Sequence, residues 1–312
     1  MAGVREIKRR IQSVKNISKV TRALEAVSAS KARRAQQRAE RSRAYAQAAW
    51  EILVNLSGQP GTSDHPLLAN PTETRQVDIV LITSDRGLAG SYNLNIIRRA
   101  EEFAAQMDVP VRWVTIGRKG RDYLLRRRYN VVAEFTQLSD EMRLRDLAPI
   151  GELLVSDFLG GVSQEIFIAY TDFINTLTQR PAVMELLPLS PYSEDRVGSE
   201  FIKKEPPQTI INREYVYEPS ANAILDEIVP RFVTLNLYQA ALEARASEHA
   251  ARMVAMRNAS DNAGVLVEGL TLEYNKARQL AITSEILDIV GGVEALKGQE
   301  APSQNNGRIR LT

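Results

Sequence analysis

His65 and His249 are the only imidazoles in the chain, and there is no cysteine. A thiolate nucleophile, a disulfide and a cysteine-held zinc or iron–sulfur site are therefore excluded, and two distant histidines make a multi-histidine metal site a poor expectation. His249 falls in the frame of an apolar helical seam and reads as a packed coiled-coil residue. His65 sits in a Gly-, Pro- and Ser-rich stretch and reads as solvated. SDRGLAGSYN (84–93) follows an apolar, strand-like run, where doubly wound sheets often bind ligands. The chain holds neither G-x-x-x-x-G-K-[ST] nor a G-x-G-x-x-G after a strand, so this stretch reads as a strand-to-helix turn, with Asp85 and Arg86 as an ion pair on its surface. The expectation is a chain with no catalytic residue, no metal and no cofactor.

The elements around these residues are unequal. Residues 3–57 contain no Pro, and their only Gly is Gly3. Val4, Ile7, Ile11 and Val14 step by three and four; after a three-residue step, Ile17, Val20, Leu24 and Val27 repeat the spacing. That predicts a coiled-coil helix over 1–58 with one skip in its seam, which then turns small at Ala32, Ala35, Ala39, Ala46 and Ala49. At 1.5 Å per residue it spans roughly 80 Å. Residues 59–75 read as a linker. Residues 76–190 alternate strand and helix patterns. Strands are expected at 76–83, 109–117, 130–135, 165–173 and 182–189, and helices at 94–107, 118–128 and 146–160. This predicts an α/β domain, Rossmann-like, with a mostly parallel sheet and an antiparallel pair at one edge.

Residues 191–212 read as an irregular linker and 213–297 as a C-terminal coiled-coil helix, with Ser220 as an N-cap. Leu225, Ile228, Phe232, Leu235, Gln239, Leu242, Ala246, His249, Met253, Met256, Ser260, Ala263, Val267, Leu270, Tyr274, Ala277 and Ala281 share one three–four frame. Residues 298–312 read as a mobile tail. Residues 1–58 carry a net charge of +9 and 209–297 a net of −4, which predicts that the two ends meet. The fold class is therefore α+β overall: a long antiparallel two-helix coiled coil with an α/β domain inserted between its arms. Such a rod suits a lever or spacer better than a catalyst.

The charged N-terminus lacks the apolar run of a secretory signal, and no stretch is long and apolar enough to span a bilayer. The basic N-terminal helix permits a nucleic-acid reading, but its basic residues flank an apolar seam without aromatic interleaving, so no nucleic acid is expected. A stand-alone nucleotide-binding α/β enzyme would need a phosphate loop or a convergent acid–base set, and neither is present.

REIKRRIQSVKNISKVTRALEAVSASK (5–31) and SEHAARMVAMRNASDNAGVLVEGLTLEYNKARQLAITSEILDIVGG (247–292) resemble the two ends of the γ subunits of F-type ATP synthases, bacterial type. SDRGLAGSYN resembles that family's turn in the inserted domain. Leu24 and Ala26 stand where the family often has Met, and the chloroplast type's Cys pair is absent. The resemblance implies a non-catalytic central rotor shaft that couples ion flow through a membrane ring to ATP chemistry on α and β subunits. It implies α, β and ε subunits and the membrane c-ring as partners, and peripheral placement on the cytoplasmic face of the cell membrane, held only through them. It further implies contact with the α/β ring at Leu24, Arg278, Gln279 and Thr283, and with the membrane ring or ε at Tyr215 and Tyr217.

Overall fold

A computed structural model describes residues 2–57, 65–189 and 220–299 of the chain. Its contacts divide into two compact bodies, one of residues 1–22 with 258–312 and one of residues 23–257. Two continuous helices, α1 (Ala2–Ser57) and α5 (Ala221–Gln299), each contribute to both.

The larger body is built on a five-stranded sheet in the order β3-β2-β1-β4-β5. The strands are β1 (Val77–Ile82), β2 (Val111–Ile116), β3 (Val131–Phe135), β4 (Glu165–Phe173) and β5 (Gln179–Leu187). β1 pairs in parallel with β2 and β4, β2 in parallel with β3, and β4 antiparallel with β5. This is the mostly parallel sheet with an antiparallel edge pair expected from the alternation of patterns. β5 begins at Gln179, ahead of the expected start, because Gln179, Arg180 and Pro181 pair back onto Phe173, Asp172 and Thr171. Pro181 cannot donate a ladder bond, and an edge strand is where that is tolerated.

Helices cover both faces, so β1 is buried along its whole length. Val77, Ile79 and Leu81 of β1 pack with Ile96, Ile97, Ala100 and Phe103 of α2 (Tyr92–Ala104) and Leu124 of α3 (Arg118–Arg126). Val80 and Ile82 face the other way, toward Leu147, Ile150 and Leu154 of α4 (Leu144–Leu159), α1 and α5. Asp78 breaks the apolar run of β1. It is fully buried, and Arg112, its register partner on β2, donates to both of its oxygens at 2.8 and 2.7 Å while also bonding Asp157 of α4. Those carboxylates hold the Arg112 guanidinium above its ordinary pKa against the cost of burial.

α5 begins at Ala221, where Ser220 Oγ accepts the Ala223 N–H at 3.2 Å, the expected N-cap. Residues 190–219 lie outside the described residues. At the far end Gly298 and Gln299 are still helical rather than part of the expected tail, the rest of which, residues 300–312, lies outside the described residues. From Leu225 to Ala250 the helix is enclosed well beyond its seam frame: Val229, Val233, Leu237, Ala240, Ala241, Ala244 and Ser247 are buried too. A helix apolar on nearly every side is an interior helix, and here the sheet, α1 and α4 share its surface.

The seam of α1 corrects the expected one. A line of buried and half-buried positions runs 4, 7, 11, 14, 18, 21, 25, 28, 32, 35 and 39 without a skip, with Leu24 half-buried beside it. After Val14 the seam passes through Ser18, Thr21, Glu25 and Ser28. Ile17, Val20 and Val27 point off it, each more than half exposed. Thr21 satisfies its hydroxyl on the carbonyls of Ile17 and Ser18, so a polar residue fits the seam at little cost. In the smaller body Ser18 and Ser260 meet across the pair at 3.4 Å.

Gly117, between β2 and α3, has φ +101°, and a Cβ there would lie 2.2 Å from the Thr83 carbonyl oxygen. Gly117→Ala is therefore expected to destabilise the chain by roughly 2–3 kcal/mol, at the upper end for single substitutions. Urea unfolding of the full chain reads this as a lowered midpoint with an unchanged slope; an unaltered midpoint would contradict the described backbone.

Candidate functional site: the joint between the sheet and helix α5

The turn 84–93 sits at the carboxyl end of β1, between β2 on one side and β4 on the other. In open α/β sheets this reversal of strand order makes a ligand crevice. Here the chain fills it with its own helix. A residual void of about 10 Å³, too small for more than a water, lies among Thr83, Tyr92, Leu138, Arg245 and Glu248.

The turn is tied down from within. Asn93 Oδ1 accepts the Ser84 N–H at 2.9 Å, its Nδ2 donates to Ser84 Oγ at 2.8 Å, and Ser84 Oγ donates to the Arg86 carbonyl at 2.6 Å. Asp85 does not pair with Arg86. Its carboxylate accepts the backbone N–H of Arg118 at 3.1 Å and of Gln137 at 3.0 Å, and Arg245 stands 4.0 Å away. Two oriented backbone donors satisfy a carboxylate better than a flexible neighbouring arginine.

The outer side of the turn grips α5. Arg252 donates to the carbonyls of Gly87 at 3.2 Å and Arg86 at 3.4 Å, and to Glu248 Oε1 at 2.8 Å. Arg245 takes the other oxygen of Glu248 at 2.9 Å and reaches the Leu138 carbonyl at 2.8 Å. Glu248 is buried, and these two guanidiniums occupy both of its oxygens. Tyr92, the first residue of α2, donates to the Ala244 carbonyl at 3.0 Å, and burial pushes its phenol well above the ordinary range. Ser247 donates to the Thr171 carbonyl at 3.1 Å.

The loop before α4 clamps the same helix. His249, buried, lies 3.4 Å from Asp140, whose other oxygen accepts from Lys31 of α1 at 2.7 Å. The bond from His249 and, after it, Lys31 hold the Asp140 carboxyl well below the usual range, against its partial burial. His249 is thus the packed coiled-coil histidine expected, with a loop carboxylate as partner. His65 is not solvated. It is buried, its Nδ1 accepts the Leu67 N–H at 3.2 Å, and its Nε2 lies 3.1 Å from Asp226 of α5. Leu67 and Leu68 beside it join the core, which draws the loop inward.

Of the partner-contact residues expected from the resemblance, Leu24 is half-buried in the larger body. Arg278, Gln279 and Thr283 lie exposed within two turns of α5 in the smaller one, where Thr283 Oγ1 donates to the Gln279 carbonyl at 3.0 Å. Tyr215 and Tyr217 fall outside the described residues. The joint residues Tyr92, Asp140, Arg245, Glu248 and Arg252 were missed as a group, although charged residues inside a buried helical frame were a legible signal. Among the described residues no cluster of His, Cys, Asp or Glu could hold a metal ion.

Residues 3–296 match the family model described as ATP synthase. The chain is 45% identical over 300 residues to the ATP synthase gamma chain of Roseiflexus sp., covering 95% of this chain and 99% of that one. It is 42% identical over 293 residues to the gamma chain of Symbiobacterium thermophilum, covering 94% and 98%. In fold it is similar to a chain of the mitochondrial ATP synthase of Euglena gracilis, with a TM-score of 0.67 at 17% identity over 99% of both chains. It is also similar to a central stalk/c-ring chain from Tetrahymena thermophila, with a TM-score of 0.60 at 24% identity over 77% of this chain and 99% of that one.

Arg252→Ala removes the grip on the turn and half of the compensation of Glu248. The expected cost is roughly 1–3 kcal/mol in urea unfolding. Amide exchange should accelerate at residues 86–91 and stay unchanged in α3; equal protection of the turn in both proteins would argue against the joint.

Proposed function

The chain belongs to the ATP synthase gamma-chain family, and on that premise we propose that it works as the central shaft of a rotary ATP synthase. It is a non-catalytic subunit and associates peripherally with a membrane enzyme. No helix among the described residues is long and apolar enough to cross a membrane. Its partners are the α and β subunits, the ε subunit and the membrane c-ring, and its place is the cytoplasmic face of the cell membrane. Rotation brings different faces of the shaft against each β subunit, and differential contact with alternative β conformations couples the turn to nucleotide affinity.

The observation that carries this reading is the end of α5. The half-buried seam ends at Ala281, and every residue from Ile282 to Glu294 is exposed. Ile282, Ile286, Leu287, Ile289, Val290 and Val293 are all large and apolar, with Ile289 67% exposed. At 100° per residue they occupy about half the helix circumference, opposite Leu270, Tyr274, Ala277 and Ala281 of the seam. The apolar face is thus turned away from the side that packs on α1. Such a surface requires an apolar sleeve, which the α/β ring supplies in this reading. Arg278, Gln279 and Thr283 at the edge of this segment, and Leu24 on α1, are the proposed ring contacts. Tyr215 and Tyr217 are proposed to meet the ring in the membrane or ε.

ATPase activity is measured for the chain alone and for α and β subunits from the same source with and without it. The chain alone should be inactive, and its addition should give one large complex with much higher turnover. Deleting residues from 282 onward should lower that turnover several-fold and leave the unfolding midpoint of the isolated chain nearly unchanged, since the side chains from Ile282 to Glu294 are all exposed. Hydrolysis by the chain alone, or failure to bind and stimulate α and β, sinks the proposal.

A further inference from the structure

Where α1, α5 and the end of β4 converge, a carboxyl group is buried with too few donors. Glu243 of α5 is fully buried. Its Oε1 accepts from Arg43 of α1 at 2.8 Å and from Gln239 Nε2 at 2.8 Å. Its Oε2 has no donor among the described residues. Within hydrogen-bonding reach is a second carboxyl, Asp172 of β4, 2% exposed, whose Oδ2 accepts from Arg180 of β5 at 3.0 Å. Among the described residues, the other charged or titratable groups facing the pair are Arg43 from α1, Tyr170 from β4 and Arg180 from β5, and α5 adds the neutral Gln239. Arg43 acts on both carboxyls, and Arg180 is 40% exposed, so water screens much of its charge. Two carboxylate oxygens have only acceptor lone pairs and cannot bond to each other, while a protonated carboxyl is a donor.

We propose that Glu243 and Asp172 form a proton-binding site in which one proton, held between Glu243 Oε2 and Asp172, fastens β4 to α5, and that its release to solvent loosens this contact. Burial first, and Asp172 second, push the Glu243 carboxyl up to about 7, against Arg43 and Gln239. The sign follows from linkage. The folded chain holds this proton more tightly than the unfolded chain, whose glutamate titrates at about 4.3. The stabilisation is complete below that ordinary value and is lost as pH rises through about 7. Near neutrality the site is partly occupied, so the stiffness of the contact between the sheet and the long helices follows pH.

The test is urea unfolding of the full chain between about pH 5 and 9, comparing wild type with Glu243→Gln and Asp172→Asn. Either amide is a permanent donor in place of the proton. The wild-type midpoint should fall, relative to both variants, as pH rises from about 6 to 8.5; groups common to all three proteins cancel in the difference. In wild-type chain carrying ¹³C-carboxyl-labelled glutamate, infrared difference spectra should show a protonated carboxylic acid at about pH 6 that is gone at about pH 9 and absent in Glu243→Gln. Parallel pH curves for all three proteins, or no protonated band in the wild type, overturn the proposal. If neither variant folds, the wild-type spectra alone decide it.

Discussion

Polar groups inside a helix that is enclosed on nearly every side must be satisfied at fixed points, and this constraint organises the larger body. Between Leu225 and Ala250, α5 buries Asn236, Gln239, Glu243, Ser247, Glu248 and His249 among its apolar residues. A buried polar group left unpaired costs roughly 1–3 kcal/mol, so most of these groups recruit a neighbour. Gln239 reaches the Ala39 carbonyl at 3.3 Å, Ser247 the Thr171 carbonyl, and His249 the Asp140 carboxylate. Apolar packing would tolerate a slide of α5 by a turn with modest repacking. These directional bonds do not, and they fix its register against α1, the sheet and the loop before α4 at once.

The same constraint fills the crevice in which a Rossmann-like sheet often binds a ligand. The crevice beyond β1 is occupied by Ala244, Arg245 and Glu248 of α5, and the glycine-bearing turn offers two carbonyls to Arg252. A phosphate would need backbone N–H groups pointing into open space. The turn instead closes Asn93 back on Ser84, and Asp85 takes the N–H groups of Arg118 and Gln137. Gly90, at φ +59°, supplies the left-handed turn beside Ala255 of α5, whose Cβ stands at ordinary contact distance, 3.7 Å, from where a Cβ would lie. The motif serves helix docking.

Much of this was legible in the sequence because it rests on periodicity. The strand–helix alternation, the antiparallel edge pair, the Ser220 cap and the seam of α5 from Met256 to Ala281 all follow from spacing. The misreadings share a cause. Ile17, Val20 and Val27 were drawn into the α1 seam because apolar residues usually mark one, whereas the buried positions pass through Ser18, Thr21 and Ser28. His65 looked solvated amid Gly, Pro and Ser, yet Leu67 and Leu68 pull it inward. Asp85 was assigned to its sequence neighbour, yet its partners come from α3 and the segment after β3. Hydropathy reports how apolar a residue is. It does not report which partner is available, and polar seam positions and backbone donors for carboxylates are properties of the assembled neighbours.

The chemical contrast between the joint and the end of α5 fits the proposed rotor. A contact that transmits torque must resist sliding, and at Arg252, Tyr92, Ser247 and Gln239 the chain uses hydrogen bonds whose strength falls steeply with misalignment. A contact that turns inside a ring must hold at many angles without a deep minimum at any of them. From Ile282 to Val293 the exposed face is Ile, Leu and Val, whose attraction is non-directional and scales with area. A ring of arginines and carboxylates there would lock at preferred angles, each lock a barrier of the size of a buried ion pair. Ser284, Glu285 and Asp288 lie on the opposite side of the helix from the apolar arc at 100° per residue, and the neutral Thr283 falls within it, so the two carboxylates between Ile282 and Val293 are kept off the sliding face.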